Sequence, residues 1–202
     1  MWTAGPIELQ TERLHLRQWR DDDVAHFAAM NADPCVMEHF PALQSHETSA
    51  AAVVRGSARI AERGWGLWAL ELRRTGEFIG FAGLEAPAPA FPFSPCVEIG
   101  WRLAFAHWGR GYATEAAKAS LGIGFETLGL DEIVSFTAVG NRRSRAVMER
   151  LGMTEQTQTF KNPSVPVGSQ VREHCLYRLK RSAWLAMAPE AVKTSADASC
   201  RR

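Results

Sequence analysis

The run from Trp108 to Leu128 constrains this chain most. Positions 113, 116, 117, 120, 121, 124, 125 and 128 hold Ala, Ala, Ala, Ser, Leu, Gly, Phe and Leu. That spacing makes one continuous face of a helix, and its small residues let the helix lie close on a sheet. Directly before it stand Trp108-Gly109-Arg110-Gly111-Tyr112. Glycine leaves the backbone bare and tolerates positive φ. A helix N-terminus carries unpaired N–H groups and a partial positive charge. Gly109 and Gly111 in front of such a terminus let a phosphate reach the amides, so the run reads as a pyrophosphate cradle.

The rest of the chain supplies the sheet. Leu14, Leu16 and Trp19 mark a first strand. Asp21-Asp22-Asp23 predicts a capped helix start, with Val24, Phe27 and Ala28 inward and Pro34 as the stop. A second helix begins near Ser45, with Ala50, Val53, Val54, Ala58 and Ala61 on its inner face and Gly64 as its end. Gly66–Leu72 and Phe78–Leu84 read as a hairpin turned at 73–77. Residues 85–96 are rich in proline and form a connector or a loop over a binding site. Val97–Leu103 is a fourth strand and Glu132–Val139 a fifth. Asn141 reads as the N-cap of a helix burying Val147, Met148 and Leu151 and closed by Gly152. Weak strand signals follow at Thr154–Phe160 and His174–Leu179, and a small, polar tail begins near residue 185.

At 202 residues, the chain suits one domain with a short tail. Its net charge of +1 gives no bulk attraction to nucleic acid or membrane. Arg142, Arg143, Arg145 and Arg150 read as a solvated helix face rather than an RNA site. Cys35, Cys96, Cys175 and Cys200 are far apart and match neither a zinc pattern nor a disulfide framework, which predicts reduced thiols in the cytoplasm and no metal. The cradle lacks the third glycine of a dinucleotide fingerprint, and the sequence has neither a nucleotide P-loop nor a serine-hydrolase elbow.

The order of motifs is more specific than any one of them. Glu98-Ile99-Gly100-Trp101-Arg102-Leu103 precedes the cradle; Asn141-Arg142-Arg143-Ser144 and Leu151-Gly152-Met153 follow it. With Leu9-Gln10-Thr11-Glu12-Arg13-Leu14-His15-Leu16-Arg17 at the start, this resembles the GNAT superfamily of acetyl-CoA-dependent N-acetyltransferases. The likeness is strongest to its RimJ/RimL-type branch and spans residues 8–184, leaving 185–202 as a short tail. The resemblance implies an α+β domain whose mostly antiparallel sheet of six to seven strands splays between the fourth and fifth, flanked by about four helices. It implies acetyl-CoA in that splay. Trp108, Gly109, Arg110, Gly111, Tyr112, Ala113 and Thr114 would hold the pyrophosphate, the backbone of Trp101 and Leu103 the pantetheine arm, and Asn141 and Ser144 the region near the sulfur.

The implied reaction is direct attack of a primary amine, on a small molecule or a protein N-terminus, upon the thioester. A base must then take a proton from the ammonium. Glu98, in an apolar strand beside the splay, fits that task if burial raises its pKa. His174 is a second candidate, because imidazole titrates near neutrality. A backbone N–H near Leu103 would hold the oxyanion. Many superfamily members carry an acidic tyrosine after the asparagine; here Tyr112 and Tyr177 are the only tyrosines, which leaves Ser144 or water to protonate the thiolate. Loops 85–96 and 161–170, with Trp65, Trp68 and Trp101, are expected to shape the acceptor side. A catalytically weak acetyl-CoA-binding sensor and a transferase of longer acyl groups are the alternatives. Monomer and homodimer are equally compatible with the sequence.

Overall fold

A computed structural model describes residues 5–87 and 91–187. Among the described residues nine strands form one sheet: β1 (Leu9–Gln10), β2 (Leu14–Arg17), β3 (Leu67–Leu72), β4 (Phe78–Glu85), β5 (Glu98–Leu103), β6 (Glu132–Ala138), β7 (Thr154–Glu155), β8 (Phe160–Lys161) and β9 (Glu173–Lys180). Their order is β1-β2-β3-β4-β5-β6-β9-β7, with β8 also paired to β9. The helices are α1 (Asp23–Asn31), α2 (His46–Arg63), α3 (Tyr112–Gly122), α4 (Arg142–Arg150) and α5 (Arg181–Met187). The mixed α+β architecture matches the sequence reading. Three two-residue strands raise the strand count, and α5 adds a helix that runs across the expected domain end at 184. Of the expected tail, residues 185–187 belong to α5, and 188–202 lie outside the described residues.

Every strand pairing is antiparallel except that of β5 with β6, where a single register pair, Glu98↔Val134, is formed. Val134 N–H donates to Val97 C=O at 2.9 Å, and Ser135 Oγ donates to Ile99 C=O at 2.8 Å. Beyond these bonds the strands diverge. The splay thus falls between the fourth and fifth strands read from the sequence, here β5 and β6.

α3 fills one face of the sheet. Ala116, Ala117, Ser120, Leu121, Gly124 and Phe125 are buried, as the small-residue face requires. The face continues through a π-helical segment, Ile123–Thr127. On the opposite face α1 and α2 pack over Phe78, Phe81 and Trp19.

Three local expectations are corrected. Asp22 caps α1 by position only and accepts no capping bond; Asp23 turns inward and pairs with buried Arg17 at 2.7 Å. The inner face of α2 is Ser49, Val53 and Ile60; Val54, Ala58 and Ala61 are exposed. The face rotates because Ser49 has an internal partner, Asn31 Nδ2 at 3.0 Å. Finally, Thr154–Phe160 is not one strand but the separate pairings of β7 and β8 on β9.

Candidate functional site

The splay opens into a cavity of about 1060 Å³. Of the residues singled out from the sequence, Glu98, Trp101, Leu103, Trp108, Gly109, Gly111, Tyr112, Ala113, Thr114, Asn141, Ser144 and His174 line it; Arg110 does not.

The cradle forms one wall. Gly109 and Gly111 have φ of +74° and +81°, the left-handed region that a side chain resists. A Cβ on Gly109 would meet nothing within 4 Å, so the backbone there borders open space. Gly111 is the N-cap of α3, whose first N–H groups lack intrahelical partners. A phosphate fits this arrangement of open glycine backbone, N–H donors and helix dipole. Trp108 ties the cradle to the strand: its indole N–H donates to Leu103 C=O at 2.8 Å, and Phe105 stacks edge-on at 5.1 Å.

A clamp from the chain's start holds the cradle in place. Glu115, in the first turn of α3, accepts from Thr11 Oγ1 at 2.6 Å, Arg13 N–H at 2.9 Å and Arg13 Nε at 2.6 Å. Arg13 also donates to Arg110 C=O at 2.9 Å and lies over the Tyr112 ring. Arg110 therefore serves through its backbone. The signal was present in the sequence as Thr11 and Arg13 beside the first strand, but their partner lies about a hundred residues away.

The free edge of β5 forms the floor. Successive residues of a strand direct their N–H and C=O groups to alternate sides. Val97 and Ile99 accept from β6, and Ala104 N–H donates to Ile79 C=O on the other side. By the same alternation the backbone groups of Trp101 and Leu103 face the gap, although Leu103 C=O is already taken by Trp108.

The side chains of Glu98 and Arg102 and the bare face of Gly100 point to the side covered by α1 and α2, since residues two apart share a face. Glu98 stands opposite Glu85 on β4. Burial, and then the charge of Glu85, push the Glu98 carboxyl up to about 8. Glu85 is itself held by Arg59 of α2 at 2.6 Å.

On the β6 side, Asn141 caps α4 as expected, accepting from Ser144 N–H at 3.2 Å, and donates to Thr137 Oγ1 at 2.9 Å. Ser144 follows on the same wall. The arginine cluster divides. Arg142, Arg143 and Arg150 are exposed yet border the cavity, Arg143 lying 5.0 Å from the Trp108 ring. Arg145 turns away to Glu155, Tyr177 and Val139 C=O.

His174 is 7% exposed, and burial lowers its pKa. Its Nδ1 lies 3.1 Å from Arg172 C=O and its Nε2 3.2 Å from Asn162 Nδ2. The neutral ring thus donates to the carbonyl through Nδ1 and accepts the amide through Nε2, and both nitrogens are occupied. Tyr177 is buried in the core beside Arg145 and Glu149, away from the cavity.

The acceptor-side expectations change in part. Trp68 is fully buried and donates to Ile7 C=O, while Trp65 packs into the core; of the three tryptophans only Trp101 lines the cavity. Loop 161–170 contributes Asn162, Ser164 and Val165. In loop 85–96, Phe91 and Phe93 pack against Phe136 and Phe160 behind the wall, and among the described loop residues Glu85 alone reaches the cavity.

The family model for the acetyltransferase (GNAT) domain matches residues 13–154. The chain belongs to the GNAT acetyltransferase family. Its relatives include YkkB of Bacillus subtilis (strain 168), 32% identical over 169 residues, covering 82% of this chain and 95% of that one. An acetyltransferase from Agrobacterium tumefaciens strain C58 is similar in structure, with a TM-score of 0.70 and 33% identity over 89% of this chain and 96% of the other. The GNAT fold also aligns at a TM-score of 0.70 with RimL, a ribosomal L7/L12 α-N-protein acetyltransferase solved with coenzyme A, at 17% identity over 88% of this chain and 99% of that one. Among the described residues no helix is long and apolar enough to cross a membrane.

Proposed function

We propose that this GNAT protein moves the acetyl group of acetyl-CoA to a primary amine by direct attack in a ternary complex. One observation carries the reading: a single cavity joins the glycine cradle, the unpaired edge of β5 and the Glu98 carboxyl. Acetyl-CoA supplies the activated thioester. The amides at 109–114 bind its pyrophosphate, with Arg142, Arg143 and Arg150 adding positive charge at the mouth. The backbone of Trp101 and the N–H of Leu103 are the donors for the pantetheine arm and the thioester oxygen.

Glu98 takes the proton from the acceptor ammonium, directly or through one water. A carboxyl near 8 is a far stronger base, once ionised, than an ordinary glutamate, and its protonation state responds to physiological pH. Ser144 relays a proton to the departing thiolate, taking one from water as it gives up its own. His174, with both nitrogens engaged, positions the wall. The RimJ/RimL-type branch and a cytoplasmic setting accompany this reading.

Calorimetric titration of acetyl-CoA into the wild type and Gly111→Trp tests the donor and the cradle together. Binding that is lost in a folded variant supports the reading, and release of coenzyme A thiol on adding amines then establishes turnover. A wild type that fails to bind acetyl-CoA overturns it.

A further inference from the structure

Among the described residues Arg102 has no counter-ion, and it lines the cavity. Its one hydrogen bond to the described residues runs from Nη1 to Asn31 Oδ1 at 2.6 Å, and Asn31 is fixed in turn by Ser49. Its Nε is buried with no partner. No carboxylate among the described residues pairs with it, although both Glu85 and Glu98 line the same cavity. Burial lowers its pKa to about 10. A desolvated guanidinium of this kind is unfavourable unless something completes it.

Its setting defines what would. The guanidinium carbon lies 4.0 Å from the Phe40 ring centroid and 5.5 Å from that of Phe81, so rings flank it. The second Nη1 hydrogen and those of Nη2 remain, and that end of the guanidinium matches a carboxylate. Phe81 is also the cross-strand partner of Arg102, and Phe40 follows α1, so both rings stand on the α1–α2 side of the sheet. On that side β5 presents Glu98, then Gly100, then Arg102. The first and last are four residues apart, about 13 Å along a strand. A Cβ at Gly100 would meet only Glu98 Oε1, at 3.9 Å, so the strand between base and guanidinium is bare.

We infer that the acceptor is an amine that also carries a carboxylate, the amine seated at Glu98, the body over Gly100 and the carboxylate on the Arg102 fork. The inference rests on the acetyl-transfer reading and narrows it to a substrate class. Held by Asn31 and flanked by Phe40 and Phe81, Arg102 is positioned before the substrate arrives, so little ordering accompanies recognition.

The test pairs 4-aminobutanoate, 5-aminopentanoate and 6-aminohexanoate with their carboxamides, which keep length and amine but lose the charge. In the wild type, kcat/KM for the best carboxylate should exceed that of its carboxamide by about tenfold to a hundredfold, mostly through KM. In Arg102→Gln the ratio should fall to near one. Arg102→Lys, which keeps charge and bulk without the fork, should lie between and serves if the glutamine variant fails to fold. A role confined to packing would lower both kinds of acceptor together and leave the ratio in place. A wild-type ratio near one, or a ratio that survives Arg102→Gln, overturns the inference. Calorimetric binding of 5-aminopentanoate against 5-aminopentanamide reads the same preference without turnover. Carboxylate-selective binding that depends on Arg102, found without acetyl-CoA binding, would therefore sink the acetyl-transfer reading and keep the anion site.

Discussion

At pH 7 the Glu98 carboxyl carries its proton most of the time, because burial and the facing Glu85 push its pKa to about 8. A base must be ionised to act, so activity limited by Glu98 should rise as pH increases through about 8. Glu98→Gln should lower kcat by about a hundredfold to ten-thousandfold and remove that limb of the profile, with acetyl-CoA affinity retained. Steady-state kinetics from pH 6 to 9.5 checks both; a variant within tenfold of the wild type would rule Glu98 out as the base. The same shift bears on stability. Unfolded, the carboxyl titrates near ~4.3. Between that value and about 8 the unfolded chain has lost the proton while the folded one retains it, so Glu98 weakens the fold progressively as pH rises and no further above 8. The difference in Tm between Glu98→Gln and the wild type should therefore grow from pH 5 to pH 8 and then level off. His174 makes a contrast. It stays neutral with both nitrogens occupied, and His174→Gln should change kcat by less than about tenfold.

Within elements, geometry separates roles that residue type alone leaves joined. Gly109 borders open space, so an alanine there meets no neighbour and only the positive φ opposes it, about 1–2 kcal/mol. Gly109→Ala should fold, melt slightly lower and bind acetyl-CoA at least tenfold more weakly, as calorimetry would show; undiminished affinity would place the pyrophosphate elsewhere. Gly83 differs, because a Cβ there would strike the Gly66 carbonyl and the Trp68 ring. Legibility followed the same division. The inner face of α3 could be read because small residues repeat at helical spacing and the sheet buries most of them. Asn141 could be read because a cap is a local bond, here to Ser144 N–H. The face of α2 could not, because Ser49 is buried through a bond to Asn31 in another helix. Nor could the Thr11–Arg13 clamp on Glu115, which joins segments about a hundred residues apart. Arg102 looked like any strand arginine until α1 brought Asn31 to it. Arg142, Arg143 and Arg150 are solvated as the sequence predicts, while Arg145 is tied down by Glu155, Tyr177 and Val139 C=O; that the three border a cavity depends on where the sheet parts.

Across the whole molecule the sheet is two half-sheets joined at one end. β1–β5 and β6–β9 are each held by continuous antiparallel pairing, while β5 and β6 share one register pair and the Ser135 bond. The open stretch leaves the edge groups of Trp101 without a strand partner, and such groups are stabilised by anything that completes the ladder. α3 and α4 stand on opposite sides of the opening, and their N-terminal residues both border the cavity. A ligand bound to the cradle, the β5 edge and the α4 side would tie the halves together in the folded state only. Its effect on stability then follows from mass action: at a hundred times Kd, acetyl-CoA should add about 2.7 kcal/mol. For a chain of this size that raises Tm by roughly 5–10 °C. Hydrogen exchange should locate the gain, with the amides of Trp101, Leu103 and 109–114 becoming protected while β2–β3, already paired on both sides, changes little. Uniform protection across the sheet would mean that the donor binds without bridging the splay. A rise in Tm equal in Gly109→Ala and the wild type would separate stabilisation from the cradle altogether.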